Sequence, residues 1–406
     1  MGLFRHFVGT RWLAALTLLL AMALAASGGA LLAQESAAAR QAEEAADLVA
    51  QANALAAEGN VAEAGYTYVW VLDNYPYTPA KHDAHAALVE MKALVRSGRI
   101  DFDNFHALIQ MLPAFWDLNT LEAMNVVANM EHVYAGELLK MGMEEEARQV
   151  WSETLENVLE ALRAYWYDPA AYSTPRIAVY IAKKLGGPEL EVTIQELEQY
   201  VELAGPCMGS YGTRAILAEY YSQAGRKRAC RPHAAPLLEA ADSDYVLDAL
   251  ESPHVDAIQK AAMRHTKAYA QAMAGLHYQA LESYAALDAD PTAEGTDFKE
   301  WAGYGVAWTT QWLHRDNAQM RIAAYEDYLA QRRPPGPGGT EWRERKFANL
   351  ARVEMAKIYL DVGDYASAAE YADQALLETE SPEILALAED CMRKIFEAQS
   401  QPQPAP

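Results

Sequence analysis

Between residues 45 and 78 the apolar positions keep a helical rhythm that is broken once. Ala52 and Leu55 belong to a first stretch that stops at Gly59; Val61, Ala64, Tyr68, Val71 and Leu72 belong to a second that stops before Pro76. Spacings of three, four and seven residues line side chains along one helical face. Glycine accepts the left-handed backbone that ends a helix, and proline cannot continue one. The pattern predicts two antiparallel helices joined at Gly59. Small Ala52 stands seven residues before the glycine and small Ala64 five after it, so the two helices can approach closely. The aromatic Tyr68, one turn further on, fills the wedge toward the next pair.

The same offsets recur. Around Gly142 they give Ala135, Ala147 and Trp151; around Gly275, Ala268, Ala280 and Tyr284, with Pro291 closing the helix. Around Gly363 they give Ala356 and Ala368, with Tyr359 and Tyr365 flanking the turn. Gly225 has Ala218 and Cys230, although Pro232 is expected to distort or delay its second helix. Gly98 and Gly186 are weaker turns with Asp103 and Glu191 in place of the downstream alanine. The glycines at 59, 98, 142, 186, 225 and 275 step by 39, 44, 44, 39 and 50 residues, and 363 lies 88 further on. Halving that last step predicts an eighth turn near Asp316-Asn317, with Ala324 and Tyr328 at the expected offsets. Eight helical hairpins are predicted, least regular between residues 80 and 260.

These units resemble the tetratricopeptide repeat family, residues 45–78, 128–161 and 349–382 most closely. Their step exceeds the family's roughly 34 residues, so helices are longer or loops intervene. The resemblance implies an all-α, right-handed α-solenoid of about eight antiparallel hairpins, degenerate in the centre, as in exported bacterial proteins of this kind. It also implies that the first helix of each hairpin lines a concave surface that receives a peptide or protein. Carried to matching positions, that lining comprises Val49, Asn53 and Ala56, then Asn129, His132 and Lys140, then Val353, Lys357 and Leu360. Basic and amide residues are too scattered for capture of a C-terminal carboxylate.

The organisation expected is an export segment over 1–33, hairpins over 34–185, a degenerate helical region over 186–260, hairpins over 261–395 and a disordered Pro/Gln tail over 396–406. Gly186-Gly187-Pro188 opens a helix and Gly205-Pro206 closes it, while Pro334 to Gly339 and Asp288 to Thr296 read as surface loops.

Composition adds constraints. Apolar residues form 51% of the chain, enough for a sizeable core, and 56 acidic against 33 basic residues give a net charge of −23. Such a surface repels phosphate backbones, which argues against nucleic acid as partner. Arg5 and Arg11 precede an uncharged stretch from Trp12 to Ala33, with small residues at Ser27, Gly28, Gly29, Ala30 and Ala33. This reads as a cleaved signal or as an uncleaved inner-membrane anchor spanning 12–33; both place the body in the periplasm or outside the cell. Of three cysteines, Cys207 and Cys230 either bridge or stay as buried thiols, and Cys391 has no partner to bridge.

Motifs for chemistry are sparse. Metalloprotease, phosphate-loop, dinucleotide and nucleophile-elbow signatures are missing; Gly209-Ser210-Tyr211-Gly212 has the wrong spacing for the last and reads as a turn before the helix carrying Ala218. His82 and His85 share one helical face, which suits either a metal or a solvated helix N-terminus, and no third ligand is evident. Asp242, Asp244, Asp248 and Asp256 lack calcium-loop spacing and read as a solvated acidic stretch. Tyr165-Trp166-Tyr167 and the stripe Trp301, Tyr304, Trp308, Trp312 suit hairpin packing first and a sugar or peptide platform second. The expectation is a non-catalytic scaffold of the cell envelope that needs no cofactor or metal. The rival is an all-α glycan-binding or glycan-processing protein with dispersed carboxylates and aromatics.

Overall fold

A computed structural model describes residues 37–224, 226–253, 255–294, 296–331, 341–379 and 382–400. The expected export segment, Gly225, the expected loop at Pro334–Gly339 and residues 401–406 lie outside them. Among the described residues the regular structure is helical, without strands.

Helix α1 (37–57) leads through Gly59 into α2 (Val61–Asn74). Then follow α3 (Ala80–Arg96) and α4 (Phe102–Met111), α5 (Leu121–Lys140) and α6 (Glu144–Ala164), and α7 (Thr174–Leu185) and α8 (Gly187–Ala204). The chain continues with α9 (Met208–Gln223) and α10 (Lys227–Ala241), the short α11 (Asp244–Glu251), then α12 (Ala257–Met273) and α13 (His277–Ala289). The last pairs are α14 (Asp297–Leu313) with α15 (Ala318–Gln331) and α16 (Glu341–Asp361) with α17 (Tyr365–Glu378), followed by α18 (Pro382–Ser400). Seven of the eight predicted turns fall between two of these helices; the eighth, at Gly225, lies outside the described residues. Gly59 and Gly142 have φ of 87° and 82°, the left-handed backbone their position requires. None of the described helices is long and apolar enough to cross a membrane.

The small and aromatic offsets are the core. Ala52, Ala64, Ala135, Ala147, Ala268, Ala280, Ala356 and Ala368 are fully buried, as are Tyr68, Trp151 and Tyr284 to within a few per cent. At the two weak units Asp103 and Glu191 point to solvent, so those hairpins close differently. Helix α4 packs on α2 and α5. Its Leu108 lies so near Gly65 that an added Cβ there would meet the leucine methyls at 2.6 and 2.7 Å.

Residues 1–158 and 159–406 form two compact units, with the boundary inside α6. In the first, Asp73 near the end of α2 is buried and clamps the entry to α5. Its carboxylate accepts from the Asn119 and Thr120 amides at 2.7 and 2.9 Å and from Asn119 Nδ2 at 2.7 Å. Thr120 in turn caps α5 through the Ala123 amide. In the second unit two tyrosines tie the centre together. The Tyr172 hydroxyl donates to the Ala262 carbonyl and the Tyr211 hydroxyl to that of Met263, both on α12, and their rings pack 5.4 Å apart.

Three expectations are corrected. Gly209 and Gly212 lie inside the first turns of α9 and not in a turn before it, because each seats against the backbone of residues 166–172. Pro232 does not delay α10, which starts at Lys227 and carries both Pro232 and Pro236. Both prolines lie where the lost backbone bonds can be replaced by water, since Arg228 and Pro232 are exposed. The acidic stretch keeps Asp242, Asp244 and Asp248 exposed and holds a helix, α11, while Asp256 is the N-cap of α12 through the Gln259 amide. The terminal helix reaches Ser400, so residues 396–400 are not part of a disordered tail; Ala388, Cys391 and Ile395 bury its inner face. The three cysteines are buried free thiols.

Candidate functional site

The predicted groove residues are placed unevenly. Val49 and Val353 are core residues and not lining, because each shares the inward face of its helix with the alanine three residues on, Ala52 or Ala356. Asn53 is exposed and accepts from the Tyr68 hydroxyl at 2.6 Å. Asn129 and His132 sit one turn apart on α5; Asn129 donates to the Asn125 carbonyl, and His132 accepts from the Trp151 indole at 3.1 Å. Lys140, in the last turn of α5, pairs with Glu137, and Lys357 with Glu354. Each of these polar groups therefore serves its own hairpin. Ala56 is exposed and Leu360 half-buried.

His85 is not solvated either. Its Nδ1 lies 3.3 Å from Glu122, whose other oxygen holds Lys81 at 2.6 Å. Burial alone would raise the Glu122 carboxyl, but the bond to His85 and the charge of Lys81 outweigh it and hold the group below its ordinary range.

The aromatic stripe of α14 is mostly packing. Trp301 lies 4.1 Å from the buried His265 ring, and Tyr304 packs among Tyr325, Tyr328 and Phe347. His265 is enclosed by Tyr269, Tyr284, Phe298 and Trp301, and its Nε2 has no hydrogen-bond partner. Burial first, then the charge of Arg176, pushes its pKa down to about 3. The unfolded chain therefore binds a proton that the folded one refuses between about pH 3 and the ordinary 6.5. Stability should fall as pH drops through that window, by up to about 1.4 kcal/mol per pH unit. Urea denaturation from pH 7 to 4 should show this slope in the wild type, and His265→Phe should remove its share. An unchanged slope in the variant would refute the assignment.

In the second unit an open cleft of about 440 Å³ lies between the end of α6 and α8. Arg163, Trp166, Glu196, Gln199, Tyr200, Leu203 and Ala204 line it. Its construction follows from the local sequence. Apolar Ile194, Leu197 and Val201 turn one stripe of α8 into the core, which leaves Glu196, Gln199 and Leu203 on the outward side. The α6 helix stops after Ala164, and Tyr165-Trp166-Tyr167 crosses to Asp168, which caps a short 3-10 turn at Pro169–Tyr172. The Trp166 carbonyl accepts from the Gly209 amide at 3.0 Å, which fixes the crossing.

Across the mouth Arg163 and Glu196 form an ion pair of 2.9 Å, both partly exposed. The Tyr200 hydroxyl faces Cys207 Sγ at 3.8 Å; burial and the neighbouring sulfur raise its pKa well above 10, so it stays protonated. Trp166 packs its ring 4.0 Å from Tyr167, which is itself exposed. Leu203 is 87% exposed, extreme for a leucine on a helix. An apolar side chain can sit on Trp166 and Leu203 while Gln199 and the ion pair meet backbone amides. The rival glycan-processing reading needs two facing carboxylates, and this lining offers one, Glu196, already paired. Of these residues the sequence had singled out only Trp166. The signal for Leu203 was present: it falls out of phase with the 194, 197, 201 stripe.

No protein-family model matches the chain. No curated protein matches it either. Among solved structures it is similar to a tetratricopeptide repeat protein from Parabacteroides merdae, at 14% identity over 76% of this chain and 98% of that one, with a TM-score of 0.38. It is also similar to BtubC from P. vanneervenii, at 18% identity over 64% and 94% of the two chains with a TM-score of 0.36. A third likeness is to the assembly chaperone Acl4, at 15% identity over 67% and 98% with a TM-score of 0.33. The hairpins themselves, with their glycine turns and facing alanines, make the architecture tetratricopeptide-like.

Proposed function

We propose that this all-α hairpin protein is a non-catalytic scaffold that binds a peptide or protein segment, and that the cleft between α6 and α8 is a principal contact. The observation that carries the reading is Leu203, a large apolar side chain held in solvent beside Trp166 and an aromatic neighbour. Exposed apolar groups on a rigid helix, next to an aromatic and rimmed by polar residues, suit the insertion of a partner's side chain. The basic, apolar and small-residue succession of residues 1–33 supports export, with the scaffold acting in the cell envelope either released or anchored.

The test is affinity capture from envelope extract with the full chain as bait. A protein should be retained by the wild type and lost with Leu203→Glu. That substitution places a charge where an apolar contact is expected, and the position is too exposed to affect folding. Trp166→Ala should weaken the captured partner by roughly 2 kcal/mol, as for a central aromatic anchor. Retention of a glycan and no protein would overturn the proposal.

A further inference from the structure

We propose that the protein segment taken by the cleft between α6 and α8 is basic as well as apolar, a step that rests on reading this cleft as a docking site. A lysine or arginine of the segment stands within a helical turn of the side chain that sits on Trp166 and Leu203. The receiving face follows from how α8 is packed. Thr193, Ile194, Leu197 and Val201 are buried toward α7 and α9. Glu196, Gln199 and Leu203, spaced by three and four residues, are left as one outward row.

The charges along this face have one sign. Helix α8 carries Glu189, Glu191, Glu196, Glu198 and Glu202, and no lysine or arginine. Glu198 accepts from the Tyr221 hydroxyl, on the side of α9. Arg163 is the one cation among the cleft's lining residues, and Glu196 balances it. Glu202, beside Leu203, is exposed, and so is Glu160, one turn before Arg163 on α6. Neither makes an ion pair among the described residues. The two walls therefore each carry an uncompensated carboxylate.

The other cations of this region do not reverse that sign. Lys183 and Lys184 end α7, at the opposite end of α8 from Leu203. At 1.5 Å per residue the length of α8 sets them roughly 24 Å away, whereas exposed charges are screened over about 8 Å at physiological ionic strength. Arg176 is bound to Glu219, and Arg214 is half-buried on α9 near Tyr245 and His233.

An acidic segment would meet Glu160, Glu202 and a net charge of −23, and an anionic bilayer would meet the same repulsion. A second copy joined through this face would bring its own carboxylates to it. A segment with Lys or Arg beside Leu, Phe or Met sets its apolar group on Trp166 and Leu203 and its cation against Glu202 or Glu160.

The experiment selects random short peptides, displayed on phage, on the immobilised full chain and depletes them on Leu203→Ser. That variant keeps every carboxylate, so peptides held by charge alone are removed. Peptides lost to it should carry Lys or Arg within about four residues of a large apolar one. A synthetic representative should bind the double variant Glu160→Lys, Glu202→Lys at least about tenfold more weakly than the wild type. The control Glu282→Lys, Asp373→Lys changes the net charge equally at exposed positions on α13 and α17, and should bind within about twofold of the wild type. All variants are first matched to the wild type in thermal midpoint. Peptides that depend on Leu203 but are neutral or acidic, or bind the first double variant undiminished, would overturn the basic occupant and leave the cleft standing. An equal loss in the control would overturn it too, because the charge would then act from the whole chain. Self-association in sedimentation, or binding to phosphatidylserine vesicles, that Leu203→Ser abolishes would assign the cleft to another occupant and sink the proposal. If no peptide depends on Leu203, the docking reading of the cleft falls and the basic segment with it.

Discussion

Gly212→Val should leave the second unit unable to fold, seen as loss of its cooperative thermal transition. A Cβ at Gly212 would lie 2.1 Å from the Tyr172 carbonyl oxygen and 2.7 and 2.8 Å from its carbon and Cα. These are backbone atoms, held by the Tyr172 bond to the Ala262 carbonyl and the cap at Asp168, so no side chain can turn away to make room. Overpacking against movable side chains costs about 1–3 kcal/mol, and against fixed backbone the cost exceeds that range. Two comparisons isolate the cause. At Gly209 the closest atom is the Tyr200 hydroxyl, the end of a side chain, so Gly209→Ala should cost less than Gly212→Ala. Gly136, in mid-helix, has open space around it, so Gly136→Ala should be neutral or add about 0.5–1 kcal/mol. If Gly212→Val unfolds no more readily than Gly136→Ala, the packing described for α9 is wrong.

Arg176→Met should destabilise the same unit by about 3–5 kcal/mol. Arg176 on α7 pairs with Glu219 on α9 at 2.9 Å and stands over the Phe298 ring at 5.7 Å. Burial opposes its charge, but Glu219 more than offsets this and raises the guanidinium pKa overall. Removing the cation takes the 2.9 Å ion-pair partner from a carboxylate whose side chain is only 15% exposed. The pair itself need not be strongly stabilising, because both charges gave up water to meet. The double variant with Met at both positions should therefore recover most of the loss, and a urea double-mutant cycle would measure the coupling. A double variant as unstable as the sum of the singles would show that the two residues act separately.

The turns were legible in the sequence because they follow from local chemistry. Glycine is needed where the backbone turns left-handed, and alanine where two helices nearly touch, so Gly59, Ala52 and Ala64 announce one hairpin without knowledge of the rest. What was hidden depends on contacts between distant residues. Gly209 and Gly212 look like a turn in sequence, and only their distant neighbours, Tyr200 and Trp166 at Gly209 and the Tyr172 backbone at Gly212, explain why they are small. Pro232 and Pro236 signal a break in sequence, yet their exposed side of α10 lets water replace the lost bonds. The groove positions failed for a related reason. Family offsets place residues on the right helix, but a rotation of one residue separates a lining position from a core one, as at Val49 and Val353. Leu203 was legible in principle, as the apolar residue that breaks the phase of α8.

The three thiols carry a further meaning. Cys207 sits at the start of α9, Cys230 in α10 and Cys391 in α18, all shielded in the folded chain. Burial also raises the pKa of Cys230 and Cys391, which lowers their thiolate fraction. In an oxidising medium such protection lasts only while α9 and α10 stay docked. Each opening exposes two thiols on neighbouring helices, close enough along the chain to cross-link before they are covered again. In such a medium the reversible breathing of one hairpin would become a route to a permanent, cross-linked product, and inactivation would then follow the rate at which that hairpin opens.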